Sequence, residues 1–119
     1  MPERLRVVFV DDEAAVLSPM ALLLQAWGFE AVPFSDFEHA RSYLIEQTPF
    51  ALVVDIRLGE YNGLQLIHLA KQIEPDLLAI AISGFDDPVL RDEAARLGAK
   101  FLLKPFNSAD LRAILQPKT

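Results

Sequence analysis

Three carboxylates, a hydroxyl and an amine stand where four separate apolar runs of this chain stop. The run "LRVVFV" (5–10) leads into Asp11-Asp12, "ALVV" (51–54) into Asp55, "LLAIAI" (77–82) into Ser83, and "FLL" (101–103) into Lys104-Pro105. An ionised carboxylate closing a buried strand is costly unless it finds water, a cation or hydrogen-bond donors. Taken singly, an Asp or Ser after a strand is an ordinary cap or turn residue, and a lone Lys is ordinarily solvated. Brought to one edge, three carboxylates repel and call for a cation unless some are protonated. Hard oxygen ligands with room for water suit Mg²⁺ better than a transition metal. With such a cation beside it, Asp55 could stay ionised and still face an anionic phosphate, which places it as a nucleophile of the kind that forms aspartyl phosphates. That transfer needs positioning and charge neutralisation on the phosphoryl oxygens, for which a metal, the Lys104 ammonium and the Ser83 hydroxyl are suitable.

The elements that must position these groups are legible as patterns. Nearly uninterrupted apolar runs suit parallel strands covered on both faces, and "EAVPF" (30–34) is a weaker fifth. A first helix carries Val16, Met20, Leu23, Leu24 and Trp27, with Gly28 as its C-terminal cap. The stretch "SDFE" (35–38) reads as a capping box in which Ser35 caps the amide of Glu38, followed by Phe37, Ala40 and Leu44 on one face. Leu64, Ile67 and Ala70 or Lys71 continue a third helix after Asn62-Gly63. Asp87-Pro88 supplies an N-cap and a first-turn proline for a helix with Leu90, Ala94 and Leu97, ended by Gly98. Asn107 or Ser108 opens a last helix with Leu111, Ile114 and Leu115 inward. Pro19 removes one backbone bond and should kink the first helix near Ala15 unless that helix starts late. The order is β-α five times with short connections, which predicts a doubly wound α/β sheet with right-handed crossovers. Ligands of such sheets bind beyond the carboxyl ends of the strands, the edge where the polar residues stand.

Composition narrows the function classes. A chain of 119 residues that is 52% hydrophobic has material for one core, so a single domain over 1–119 is expected, its core at about 5–115 and the tail "QPKT" without a second module. No apolar run approaches the ~20 residues of a membrane span, and "MPERLRVVFVDDE" shows no signal-peptide pattern. The expected location is therefore cytoplasmic, with no membrane partner. Zero cysteines excludes disulfides, thiol catalysis and thiolate metal sites. Seventeen acids against eleven Lys and Arg, net −6, leave no basic footprint for direct nucleic-acid binding. His39 and His68 have no second ligand at metal spacing and read as surface or boundary residues, while Arg91, Asp92, Glu93 and Arg96 read as a solvated helix face.

The segments "FVDDE", "VVDIRL…NGLQLI", "AISG", "LGA" and "FLLKPF" occur in one order across essentially the whole chain. In them the chain resembles a response-regulator receiver domain, the phospho-acceptor half of two-component signalling. The resemblance implies a (βα)5 flavodoxin-like sandwich with a five-stranded parallel sheet in the order 2-1-3-4-5. It implies that Asp55 accepts the phosphoryl group and that Asp11 and Asp12 hold Mg²⁺ with Asp55 and the backbone carbonyl of Arg57. Ser83 would bond a phosphoryl oxygen, Lys104 would pair with it, the Lys104-Pro105 bond would be cis, and Phe101 would be the switch aromatic. Arg57 and Phe85, two positions after Asp55 and Ser83, would flank the phosphoryl group and tune its hydrolysis, their bulk hindering water and prolonging the phosphorylated state. The implied partners are a histidine kinase or histidine phosphotransfer domain upstream and an output protein or effector domain on the face of the fourth helix, fifth strand and fifth helix. Three departures stand out: Gly59 where the family usually has proline, which predicts a less preorganised loop, a spacing before Phe101 one residue short, and Phe rather than Tyr at that position.

Other readings fit less well. A phosphatase of the haloacid dehalogenase type wants D-x-D after its first strand, whereas the acids here are adjacent and the candidate nucleophile follows the third strand. No G-x-G-x-x-G follows the first strand, so a dinucleotide site is not expected. The expectation is a switch that catalyses only its own phosphorylation and dephosphorylation, not an enzyme; the alternative is a phosphorylation-independent interaction module on the same fold.

Overall fold

The computed structural model describes residues 4–116; residues 1–3 and 117–119, including most of the "QPKT" tail, lie outside the described residues. The chain order is β1 (Arg6–Val10), α1 (Ala14–Ala26), β2 (Glu30–Phe34), α2 (Phe37–Glu46), β3 (Ala51–Asp55), β4 (Arg57–Leu58), β5 (Tyr61–Asn62), α3 (Leu64–Ile73), β6 (Leu78–Ser83), α4 (Pro88–Arg96), β7 (Lys100–Leu103) and α5 (Ser108–Leu115). Five strands form one parallel sheet, β2-β1-β3-β6-β7. With the small β4–β5 hairpin counted apart, this is the expected order 2-1-3-4-5. The winding reverses at β1 and β3, so their carboxyl ends flank a crevice.

The continuous apolar runs follow from burial on both faces, since successive strand residues point to opposite sides. Val8, Val10, Leu52, Val54, Ala79 and Ala81 pack with Phe37, Ala40 and Leu44 of α2, Leu64, Leu66, Ile67 and Ala70 of α3, and Ala94 of α4. Their neighbours Val7, Phe9, Ala51, Val53, Ile80 and Ile82 pack with Met20 and Leu24 of α1 and Leu111 and Leu115 of α5. Every position of β3 is buried, which confines its single polar residue, Asp55, to the end where the crevice begins.

Most helix ends obey the sequence signals. Asp87 accepts the Val89 N–H at 2.9 Å with Pro88 in the first turn, Asn107 accepts the Ala109 N–H at 2.8 Å, and Gly28 and Gly98 take φ of 93° and 78° after their helices. The cap of α2 differs from expectation: it is Asp36 rather than Ser35, accepting the His39 N–H at 2.8 Å. The carboxylate is the stronger acceptor at the positive end of a helix, and it also binds the His39 ring at 2.7 Å. Helix α1 runs as one element through Pro19, whose missing bond would have reached Ala15, already near the helix start.

The β4–β5 hairpin has no counterpart in the sequence pattern, because two-residue strands carry no periodicity. Its turn puts positive φ on Gly59 (58°) and on no other residue of the loop, the arrangement of a type II′ turn. Proline, held near φ −65°, cannot adopt this conformation. The glycine lets the loop close into a paired hairpin, and Tyr61 at its end stacks on Phe37 of α2, ring centroids 4.5 Å apart.

Candidate functional site

The parallel register delivers the polar residues to one edge. Asp55 ends β3 at 8% exposure, Ser83 ends β6 at 3%, Asp11 follows β1 fully buried, and Lys104 follows β7, its N–H bonded to the Ser83 carbonyl at 2.8 Å. The start of α3 presses directly on Asp55: the Gly63 N–H donates to the Ile56 carbonyl at 2.6 Å, and a Cβ at Gly63 would overlap the Asp55 carbonyl oxygen.

The Lys104 ammonium bridges two carboxylates, donating to Asp55 Oδ2 at 2.7 Å and to Asp11 Oδ2 at 3.3 Å. The other oxygen of each takes a backbone N–H, Asp55 Oδ1 from Arg57 at 3.0 Å and Asp11 Oδ1 from Glu13 at 2.9 Å. These partners are what lets a charged residue end an apolar strand. Asp12 is exposed, and its Oδ2 accepts the Gly59 N–H at 3.0 Å, a bond that proline at 59 could not make. Among the described residues no three His, Cys, Asp or Glu side chains are gathered as a ready metal cage. The donor chemistry nonetheless fits a hard divalent cation: Asp11, Asp12 and Asp55 bring carboxylate oxygens to the crevice, and Lys104 pairs with only two of the three.

Burial pushes the Asp11 carboxyl upward, more than the Glu13 N–H and the Lys104 charge draw it down. For Lys104, burial pulls downward, but the bond to Asp55 and the charges of Asp55 and Asp11 outweigh it and raise its pKa. The sign for Asp11 is destabilising. With its folded pKa above the unfolded value, the folded state binds the proton more tightly, and stability falls as pH rises through that interval. Asp11→Asn keeps the shape and removes the buried charge. At pH 7 it should melt higher than wild type. Calorimetry at falling pH should show the difference shrinking as Asp11 takes up its own proton.

Above the carboxylates opens a cleft of 640 Å³ lined by Asp12, Arg57, Glu60, Tyr61, Phe85, Leu90 and Lys104. The Ser83 hydroxyl donates to the Phe85 carbonyl and accepts the Phe85 N–H, both at 3.0 Å, so it is turned toward its own loop. At the rim the Arg57 guanidinium lies 4.7 Å over the exposed Phe85 ring. Phe101 is half-buried on the α4 side of the sheet, and the Lys104-Pro105 bond is cis. Asp11, Asp55, Ser83 and Lys104 thus come together as read from the sequence, Asp12 stands at the mouth, and Arg57 and Phe85 touch each other. For three residues the sequence reading named the position but not the role: Gly59 and Gly63, which act through backbone geometry, and Arg91, whose guanidinium covers Phe101. The positive φ demand at Gly59 had a signal in the L-G-E-Y turn; the others had none. His39 pairs with Asp36, and exposed His68 lines a groove between α3 and α4.

The sequence model of the response regulator receiver domain family matches residues 7–116. The transcriptional regulatory protein FixJ of Azorhizobium caulinodans is 32% identical over 98% of this chain and 56% of its own length, so the chain spans about half of that relative. A response regulator receiver protein from Pseudomonas putida, 31% identical, superposes with a TM-score of 0.86 over 97% of this chain and 98% of that one. A response regulator from Burkholderia pseudomallei, solved with a phosphorylated aspartic acid, calcium ion and citrate, shares the fold at 23% identity and a TM-score of 0.86, covering 96% of this chain and 67% of that one. Receiver domains are phosphorylated signalling switches that bind a divalent metal and work with histidine kinases and output domains. Among the described residues no helix is long and apolar enough to cross a membrane. By family match, fold and the gathering of Asp11, Asp55, Ser83 and Lys104 at one sheet edge, this chain belongs to the response regulator receiver family and is a receiver domain of two-component signalling.

Proposed function

We propose that Asp55 is the phospho-acceptor, taking a phosphoryl group from a histidine kinase or histidine phosphotransfer domain. The observation that carries this reading is a nearly buried carboxylate, 2.7 Å from an ammonium, at the floor of a cleft wide enough for a phosphodonor. An Asp55 oxygen forms the new bond to phosphorus while the bond from phosphorus to the donor histidine nitrogen breaks, and the imidazole leaves. Lys104 then exchanges its Asp55 contact for a phosphoryl oxygen, and Ser83 turns from Phe85 to bond another. Asp11, Asp12, Asp55 and the Arg57 carbonyl would hold Mg²⁺, which when bound supplies the remaining charge neutralisation. Phe101 acts as the switch aromatic, and the α4–β7–α5 face is the output surface, where Val89 is 63% exposed. The chain acts as a single domain over 1–119, core 5–115, in the cytoplasm; its net charge of −6 speaks against direct nucleic-acid contact by this segment.

Arg57 and Phe85 restrain the domain's own dephosphorylation by stacking across the path of an attacking water. Replacing both by alanine should speed loss of the phosphoryl group about tenfold, corresponding to about 1.4 kcal/mol of barrier; an unchanged decay in intact-mass time courses would remove them from this role.

The reading itself is tested by incubating the protein with acetyl phosphate, with and without Mg²⁺, and measuring intact mass. A Mg²⁺-dependent gain of one phosphoryl group is expected. No gain under conditions where Mg²⁺ binding is demonstrated would favour the phosphorylation-independent interaction module.

A further inference from the structure

We propose that Arg91 is a positioning residue for the Phe101 ring, anchored by Asp86, and that it latches the ring in the unphosphorylated domain. The proposal rests on the reading of Phe101 as the switch residue. Phe101 has no hydroxyl through which a hydrogen bond could fix it, yet its half-buried ring is covered by the Arg91 guanidinium 4.5 Å from the centroid. A cation over an aromatic face is attracted to it, and a guanidinium held by a second partner is already oriented for that contact. The second partner is Asp86, whose Oδ1 accepts from Arg91 Nε at 2.6 Å.

Asp86 in turn is next to Phe85, whose N–H and carbonyl are both bonded to the Ser83 hydroxyl. A continuous set of contacts therefore runs from the phosphorylation cleft to the ring: Ser83, the Phe85 backbone, Asp86, Arg91, Phe101. When Ser83 leaves Phe85 for a phosphoryl oxygen, the loop loses both tethers, Asp86 shifts, and Arg91 no longer holds the ring. An interaction made only in the unphosphorylated arrangement opposes the phosphorylated one, so weakening it must raise affinity for any ligand that favours the latter.

The test is NMR on the full chain. Without phosphodonor, the Arg91 Hδ protons should resonate upfield through the ring current of Phe101, move downfield in Phe101→Leu, and move partway in Asp86→Asn. Hδ shifts identical in wild type and Phe101→Leu would overturn the positioning role. With Mg²⁺ and beryllofluoride, a phosphoryl mimic, the upfield shift should vanish; its persistence with beryllofluoride bound would overturn the release. Arg91→Gln should bind beryllofluoride about threefold more tightly than wild type, Arg91→Lys should fall between, and Arg96→Gln on the same helix should match wild type; equal affinity in Arg91→Gln would likewise overturn the latch. Failure of beryllofluoride to bind wild type would defeat the phospho-acceptor reading and the release with it, while the Hδ shifts still decide the positioning role on their own.

Discussion

Asp55→Asn, incubated with acetyl phosphate and Mg²⁺, is expected to show no added phosphoryl group by intact mass where wild type gains one. The substitution keeps the shape of the side chain but removes both the nucleophile and the charge that Lys104 contacts at 2.7 Å. An amide oxygen of the same shape still accepts the Arg57 N–H that Asp55 Oδ1 accepts at 3.0 Å, and Lys104 keeps Asp11 as its charged partner at 3.3 Å. The fold should therefore survive, with a melting midpoint within about 4 °C of wild type, a change of about 1 kcal/mol, while the covalent step loses the lone pair of a carboxylate anion. A gain equal to that of wild type would move the acceptor elsewhere in the chain and overturn the assignment.

The largest loss of stability is expected from Gly63→Ala. Gly63 adopts φ −61° and ψ −21°, a helical conformation open to any residue, so its need for glycine is not conformational. It is spatial: an added Cβ would overlap the Asp55 carbonyl oxygen and lie 2.9 Å from Val54 Cγ2, and these are backbone and buried core atoms with nowhere to yield. Overpacking of this kind costs about 2 kcal/mol or more, which for a domain of this size lowers the midpoint by about 8 °C. Gly84→Ala is the matched control, because nothing lies within 4 Å of a Cβ there, and it should stay within about 0.5 kcal/mol of wild type. Equal melting curves for the two variants would mean that α3 can slide away from β3. Because the clash falls on the peptide of Asp55 itself, Gly63→Ala should also slow phosphorylation by acetyl phosphate in the fraction that remains folded at 25 °C.

The parts of this domain that were legible in the sequence share one cause. Strands buried on both faces must be apolar throughout, so each polar residue ending a run, Asp11, Asp55, Ser83 or Lys104, announces both the strand's limit and its membership of the carboxyl edge. The helix caps at Asp87 and Asn107 were legible because a side chain bonding an amide two residues away is a local event. What was not legible depends on contacts between segments distant in sequence or on competition between adjacent candidates. Ser35 and Asp36 are both competent caps, and only the geometry of the β2–α2 turn selects the carboxylate. The Gly59–Asp12 bond joins residues 47 positions apart, and the Arg91–Phe101 stack joins a helix to a neighbouring strand; nothing in local periodicity encodes either. Arg91, read as part of a solvated face, shows how an exposed charge can still have a specific neighbour.

The two bonds between the Ser83 hydroxyl and the Phe85 backbone bear on how quiet the domain is when no signal is present. If each contributes about 1 kcal/mol net, the hydroxyl faces the cleft spontaneously in only about 3% of molecules. On the proposed role of Ser83, basal output from such a population would be correspondingly small, and the gain of the switch, the ratio of signalled to unsignalled output, would have a ceiling of roughly thirtyfold from this hydroxyl alone. A hydroxyl without that loop partner would respond more readily and leak more.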